Sequence, residues 1–92
     1  MFAVILRQRF VRTFKKLDRA VQQTITDELD RLARNPFHHP NIRRLAGTTV
    51  EAYRLRVGRW RILYFLIQNR ETIEVIDLFM KKSSADYHRR LF

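Results

Sequence analysis

The chain has 92 residues, 46% of them hydrophobic, with 19 Lys and Arg against nine Asp and Glu, a formal net charge of +10. That length supports one domain, which we assign to residues 1–92, while the absence of cysteine excludes disulfides and thiolate metal sites. No run approaches the roughly 20 apolar residues of a transmembrane helix, so we expect a cytoplasmic protein with no membrane partner, whose charge favours nucleic acid or an acidic protein.

The first 36 residues predict one strand and two helices. The apolar run Phe2–Leu6 suits a strand covered on both faces, and it is too short for a signal peptide. Apolar residues recur at helical spacing over Arg7–Leu17. Asp18 is a favourable N-cap for a second helix, which ends at Asn35 because a residue before proline disfavours the helical conformation. The tight connection at Asp18 therefore predicts a helical hairpin.

Two adjacent histidines, His38 and His39, follow in a loop. Two ligands are too few for a metal, and no cysteine or carboxylate cluster accompanies them. The chain also lacks the glycine-rich motifs that bind nucleotide phosphates. We therefore predict no metal site and no small-molecule cofactor.

A β-hairpin is predicted between Tyr53 and Tyr64, with a two-residue turn at Gly58-Arg59. The turn fixes the register, because residues at equal distances from it lie opposite each other. The predicted pairs are Val57–Trp60, Arg56–Arg61, Leu55–Ile62, Arg54–Leu63 and Tyr53–Tyr64. Side chains alternate along a strand, so Arg54, Arg56 and Arg61 share one face while Trp60 and Tyr64 pack on the other.

The pairing of Arg56 with Arg61 points to function. Like charges directly opposite each other on two strands destabilise a sheet by about 0.2–1 kcal/mol. Three guanidiniums on one face suggest that an anion binds there, although a solvated basic face is the alternative that this pattern leaves open.

The C-terminal part predicts a last strand over Thr72–Met80 and a short helix that begins near Ser83 with a capping box. Alternation along the strand puts Ile73, Val75 and Phe79 on one side and Ile76, Leu78 and Met80 on the other. The element order is β-α-α-β-β-β with a short C-terminal helix. Two consecutive helices followed by consecutive strands predict an α+β fold, in which an N-terminal helical hairpin covers an antiparallel four-stranded sheet.

Basic residues and a tyrosine support cleavage of RNA without a metal ion. The ribose 2′-OH is then the nucleophile, so the protein has to orient it, stabilise the negative charge of the transition state and protonate the leaving oxygen. Guanidiniums suit charge stabilisation because they are planar, forked and always charged.

The segments Leu45–Gly47, Tyr53–Gly58 and Trp60–Tyr64, with the helical hairpin before them, resemble the RelE/ParE superfamily of bacterial and archaeal toxins. The similarity spans essentially the whole chain. It implies the toxin of a type II toxin–antitoxin pair. RelE-type members cut mRNA in the ribosomal A site, whereas ParE-type members inhibit DNA gyrase and cleave nothing.

The resemblance to RelE-type toxins implies a catalytic set, which by position comprises Arg54, Arg56, Arg61, Lys81 and Tyr87. Further basic residues are assigned to RNA binding, namely Arg43, Arg44, Lys82, His88 and Arg89. Lysines are typical of RelE where Arg54 and Arg56 stand here. Because arginine does not lose its proton at accessible pH, the general base would be Tyr87 or His88, although Tyr87 could equally be a packing residue and His88 a solvated one.

We therefore predict a ribosome-dependent mRNA endoribonuclease that inhibits translation. Its partners would be the ribosome, mRNA and a cognate antitoxin with an acidic or amphipathic segment. Two alternatives remain open from the residues: a ParE-like gyrase inhibitor, and a non-catalytic basic module that receives an acidic protein.

Overall fold

The computed structural model describes residues 1–37, 39–80 and 90. Strand β1 is Ala3–Leu6, and helices α1 and α2 are Gln8–Phe14 and Arg19–Arg34. Strands β2 to β5 follow at Ile42–Arg44, Ala52–Val57, Trp60–Ile67 and Thr72–Met80, with a 3-10 turn at Gln68–Arg70 between the last two. The predicted C-terminal helix falls on residues that lie outside this description, apart from residue 90. No helix in the described ranges is long and apolar enough to cross a membrane.

The two predicted helices are confirmed, and the first is shorter than predicted. Asp18 is the N-cap of α2, where its carboxylate accepts a hydrogen bond of 3.0 Å from the backbone N–H of Val21. Asn35 is the C-cap. Helix α1 ends at Phe14, and the side-chain amide of Gln22 donates to the Phe14 carbonyl at 2.8 Å, satisfying one of the acceptors left at that end.

The sheet has five strands in the order β1-β5-β4-β3-β2 and is mixed, so the prediction of four antiparallel strands was wrong in two respects. Strand β1 pairs with β5 in parallel, with Ala3 opposite Thr72 and Leu6 opposite Val75. No short turn joins these two strands, so the sequence carries no local signal for their relative direction. Strand β1 is also an edge strand that leaves Ile5 and Leu6 nearly half exposed, rather than a strand covered on both faces.

Strand β2 is the fifth strand, which sequence reasoning missed. It has only three residues, two of them arginines, and pairs antiparallel with β3. Short, charged strands are common at sheet edges, where they discourage pairing with other chains, and they carry almost no hydrophobic pattern.

The hairpin register is confirmed at all five predicted pairs. Gly58 has φ of +58°, which suits the first position of a two-residue turn. The faces also form as expected. Leu55, Ile62 and Tyr64 are fully buried beneath the helices, in a core with residues of both helices and of β5.

A β-bulge between β4 and β5 changes which side chains of β5 face the helices. Leu63 lies opposite Asp77, whereas Tyr64 lies opposite Val75, so that Ile76 has no partner of its own in the ladder. Leu78 therefore joins Ile73 and Val75 in the helix-covered core, while Phe79 belongs to a smaller cluster on the other face. The predicted assignment of Leu78 and Phe79 to faces was wrong, because an added residue reverses the alternation beyond it.

Candidate functional site

Four arginines share the face of the sheet that the helices leave uncovered. Arg43 lies opposite Arg54 across β2 and β3, and Arg56 lies opposite Arg61 across β3 and β4. Directly opposed residues of antiparallel strands point to the same side, so these residues form what we call the arginine face. Arg43 and Arg56 are exposed, whereas Arg54 and Arg61 are half-buried.

The other predicted site residues do not all join this face. Arg44 lies opposite Tyr53, one position further along β2, and is therefore directed to the opposite side of the sheet. Lys81, Lys82, Tyr87, His88 and Arg89 lie outside the part of the chain that the structure describes.

The guanidinium of Arg61 is held beside the turn of the hairpin by backbone carbonyls. Its NH1 group donates to the carbonyl oxygens of Gly58 at 2.9 Å and of Trp60 at 3.0 Å. Its Nε is buried and finds no acceptor among the described residues. A buried donor without a partner costs about 1–3 kcal/mol. An oxygen of an anionic ligand that reached this nitrogen would remove that cost.

Arg56 is oriented by a chain of contacts that begins on α2. Its NH2 group donates to the side-chain oxygen of Asn41 at 2.9 Å, and its backbone N–H donates to the Asn41 carbonyl at the same distance. The backbone N–H of Asn41 donates to His39 Nδ1 at 3.0 Å. His39 Nε2 then carries the proton and donates to the carboxylate of Glu28 at 2.7 Å.

The histidine thus fixes the turn that leads into β2, and that turn fixes Arg56. The side chain of His39 is 3% exposed, in keeping with a structural role. In the ranges described, no group of three or more His, Asp or Glu residues is arranged to hold a metal ion.

Asp77 is a buried carboxylate at the β5 side of the arginine face. It is 2% exposed, the only buried charged residue in the described part of the chain. It accepts hydrogen bonds from Arg9 NH2 at 2.7 Å and from Arg90 NH1 at 3.2 Å. The β5 bulge places Asp77 opposite Leu63, on the side of the sheet that carries the arginines.

A tyrosine pair lies on the opposite side of the hairpin. The rings of Tyr53 and Tyr64 stack with their centroids 5.4 Å apart, and the Tyr53 hydroxyl donates to Glu51 at 2.6 Å. Burial raises the pKa of both phenols, and the Glu51 carboxylate raises them further. Both therefore stay protonated near neutral pH, and neither is suited to act as a general base.

Residues 4–83 match the family model described as the ParE toxin of type II toxin–antitoxin systems, parDE. The chain belongs to this family. It is the toxin of a type II toxin–antitoxin system, as its resemblance to the RelE/ParE superfamily implied. A search of curated protein sequences found no match.

Solved structures show that this ParE-family toxin has a RelE-like fold. An archaeal RelE–RelB complex from Pyrococcus horikoshii OT3 matches with a TM-score of 0.80 and 21% identity, over 90% of this chain and 98% of that chain. The intact E. coli RelBE complex matches with a TM-score of 0.76 and 18% identity, over 90% and 100%. The isolated E. coli RelE toxin matches with a TM-score of 0.75 and 18% identity, over 99% of this chain and 96% of that chain. At these identities the likeness concerns the fold alone.

Sequence reasoning missed several residues that shape the toxin's arginine face. Asn41 orients Arg56, and the pair of Arg9 with Asp77 anchors Arg90 beside the same face. An aspartate in an otherwise apolar strand was the signal available for Asp77. Its partner Arg9 is 68 residues away in the chain, so the sequence pattern did not identify it.

Proposed function

We propose that this toxin is an endoribonuclease that cuts mRNA on the ribosome and so inhibits translation. The proposal depends on the geometry of Arg61. Two backbone carbonyls fix its guanidinium, and its buried Nε has no acceptor among the residues that the structure describes. A cationic group already held in place stabilises a charged transition state without having to reorganise during the reaction.

In the proposed reaction the ribose 2′-oxygen attacks the adjacent phosphorus and the bond to the 5′-oxygen of the next nucleotide breaks. The products are a 2′,3′-cyclic phosphate and a 5′-hydroxyl. Arg61 stabilises the charge on the phosphate oxygens, while Arg54 and Arg56 bind neighbouring phosphates and position the 2′-OH. Lys81 adds positive charge or assists the leaving oxygen, and Arg43, Lys82 and Arg89 bind RNA.

The proton transfers require groups other than the arginines. Arginine remains protonated, and Tyr53 and Tyr64 have raised pKa values on the opposite side of the hairpin. Tyr87 and His88 therefore remain the proposed groups, since a histidine titrates near neutral pH and a tyrosine can also stack on a base.

The proposed partners follow from the positive net charge of the chain and from the complexes that similar toxins form. The Pyrococcus horikoshii and E. coli structures are RelE proteins in complex with RelB. A toxin with a net charge of +10 fits an antitoxin segment rich in Asp and Glu, which would neutralise it in the cytoplasm. A chain this small does not enclose an RNA strand, which favours the ribosome as the partner that orients mRNA.

Induced expression followed by sequencing of RNA 5′ ends tests the proposed function. We expect new 5′ ends within translated coding regions, and the loss of at least about 10²-fold in cleavage rate for a folded Arg61→Ala variant. Arg70→Ala, which removes an exposed arginine from the 3-10 turn, is the matched control and should cut normally.

The second candidate is a ParE-like inhibitor of DNA gyrase, which the family description favours because it names ParE. Intact mRNA together with gyrase-linked DNA breaks after induction would support this candidate and contradict the endoribonuclease. Near-normal cleavage by folded Arg61→Ala would remove Arg61 from the site.

A further inference from the structure

The carboxylate of Asp77 holds two guanidiniums from distant parts of the chain. Arg9 comes from α1 and Arg90 from the C-terminal segment, and the backbone N–H of Leu78 donates to the other carboxylate oxygen at 2.8 Å. A buried carboxylate requires such partners because it has lost its water. Two cations share one anion, so one positive charge remains in excess at this point.

Arg90 is fixed at three points. Besides its bond to Asp77, its backbone carbonyl accepts a hydrogen bond from Arg9, and its guanidinium carbon lies 4.1 Å from the centroid of the Phe79 ring. Phe79 lies directly opposite Arg61 in the sheet. Arg90 therefore lies over the neighbour of Arg61, at the border of the arginine face.

The remaining exposure of Arg90 makes it accessible to a ligand. Its side chain is 41% exposed, while that of Asp77 is 3% exposed. The carboxylate is thus shielded from an incoming anion, whereas the guanidinium is not. Because the side chain is already ordered, binding would cost it less conformational entropy than it costs a free surface arginine.

We propose that Arg90 binds a phosphate of the RNA next to the one held by Arg61, and that Asp77 is the positioning residue for Arg90. The inference rests on the proposed function, in that the anion is taken to be RNA. It adds to the site an arginine that sequence reasoning did not assign, and it gives the buried Asp77 a role in substrate binding.

Substitution of Asp77 distinguishes positioning from simple electrostatics. Asp77→Asn removes a negative charge and raises the net charge of the protein by one. If only overall charge mattered, this variant would bind RNA more tightly. If Asp77 positions Arg90, the variant binds RNA more weakly, because the amide no longer holds the guanidinium with an ionic bond.

The experiment measures binding of a short, fluorescein-labelled, 2′-O-methylated RNA oligonucleotide, which cannot be cut, over a salt series. Arg90→Gln should weaken binding roughly tenfold and lower the slope of log affinity against log salt by about 0.7, the value for one phosphate contact on a single strand. Asp77→Asn should cause the same two changes. The double variant should bind no more weakly than Arg90→Gln alone, because Asp77 acts through Arg90.

Arg70→Gln is the charge-matched control and should leave the salt slope unchanged. Circular dichroism checks that each variant is folded. Because Arg90→Gln leaves Asp77 paired with Arg9, this variant should fold, and its salt slope tests the inference even if Asp77→Asn does not fold.

An unchanged slope in Arg90→Gln, or tighter binding by Asp77→Asn, would overturn the inference and leave the proposed function standing. Absence of salt-dependent RNA binding by the unaltered toxin would also overturn the inference, whereas the proposed function is tested separately by the RNA 5′ ends that appear after induction.

Discussion

Asn41 connects a buried histidine to an arginine of the proposed site. Asn41→Ala removes the acceptor of Arg56 NH2 but keeps the backbone bonds to Arg56 and His39. We expect a cleavage rate that is lower by roughly tenfold, because Arg56 samples more orientations, with little change in stability since the lost bond is exposed. Single-turnover cleavage of mRNA on ribosomes measures the rate.

Asn69→Ala, at an exposed position of the 3-10 turn, is the control for this substitution. Asn41→Asp should restore the acceptor and recover most of the rate. Wild-type cleavage by Asn41→Ala would show that Arg56 needs no support from this turn.

The hydroxyl of Tyr53 is the main cause that lowers the pKa of Glu51, with Gln68 and Arg44 contributing less. A lowered folded-state pKa means that the carboxylate contributes stability above its unfolded-state pKa, and that this contribution is lost as pH falls through the folded-state pKa. Tyr53→Phe keeps the ring stacked on Tyr64 but removes the hydrogen bond. We expect the stability difference between this variant and the unaltered toxin to be present at neutral pH and to shrink in acid.

Thermal unfolding across the acid range, with an NMR titration of the Glu51 carboxyl, measures both quantities. In a Glu51→Gln background the pH dependence of the difference should vanish. An unchanged Glu51 pKa in Tyr53→Phe would contradict the assignment of its cause.

At the level of elements, the β3–β4 hairpin depends on the turn at Gly58. Nothing lies within 4 Å of the position that a Cβ would take there, so Gly58→Ala meets no steric obstacle outside its own backbone. The φ of +58° is nevertheless unfavourable for alanine, and we expect a loss of about 1–2 kcal/mol in the free energy of unfolding. Chemical denaturation measures it.

Arg59→Ala in the same turn is the control and should change stability by less than about 0.5 kcal/mol. A Gly58→Ala variant as stable as this control would mean that the turn relaxes to another geometry.

The elements also show how far local sequence signals reach. The hairpin could be predicted to the residue because its turn is local and fixes every pair, which brought Arg54, Arg56 and Arg61 to one face. The bulge could not be predicted in this way. It arises from the pairing of β5 with β4, and the alternating pattern of β5 alone does not show an extra residue. It is this bulge that turns Asp77 and Phe79 toward the arginine face.

The sequence pattern also did not predict contacts between segments that are far apart in the chain. The direction of β1 depends on its pairing with β5, and the contact of Arg9 with Asp77 depends on how α1 packs against β5. Of the proposed site, the sequence therefore predicted the arginines of the hairpin. It did not identify Asn41, which orients Arg56, or Asp77, which holds Arg90.

At the scale of the whole molecule, a net charge of +10 should govern how the antitoxin meets the toxin. Charge pairing speeds association and is screened by salt, whereas apolar anchors set the lifetime of the complex. Raising ionic strength should therefore slow association more than it hastens dissociation. Stopped-flow association and dissociation rates with the purified antitoxin measure both, and a salt-independent association rate would show that the basic surface does not steer this partner.

We expect the arginine face to support attack by the substrate's own 2′-OH, so a substrate that lacks this hydroxyl should resist cleavage. Ribosomes carrying an mRNA with a single 2′-deoxy nucleotide at the cleaved position are mixed with purified toxin, in parallel with the all-ribose mRNA. We predict cleavage of the ribose substrate to a 2′,3′-cyclic phosphate and a 5′-hydroxyl, and no cleavage of the deoxy substrate at that position. Equal cleavage of both substrates would contradict attack by the 2′-OH. So would a folded toxin that cuts neither substrate and inhibits gyrase.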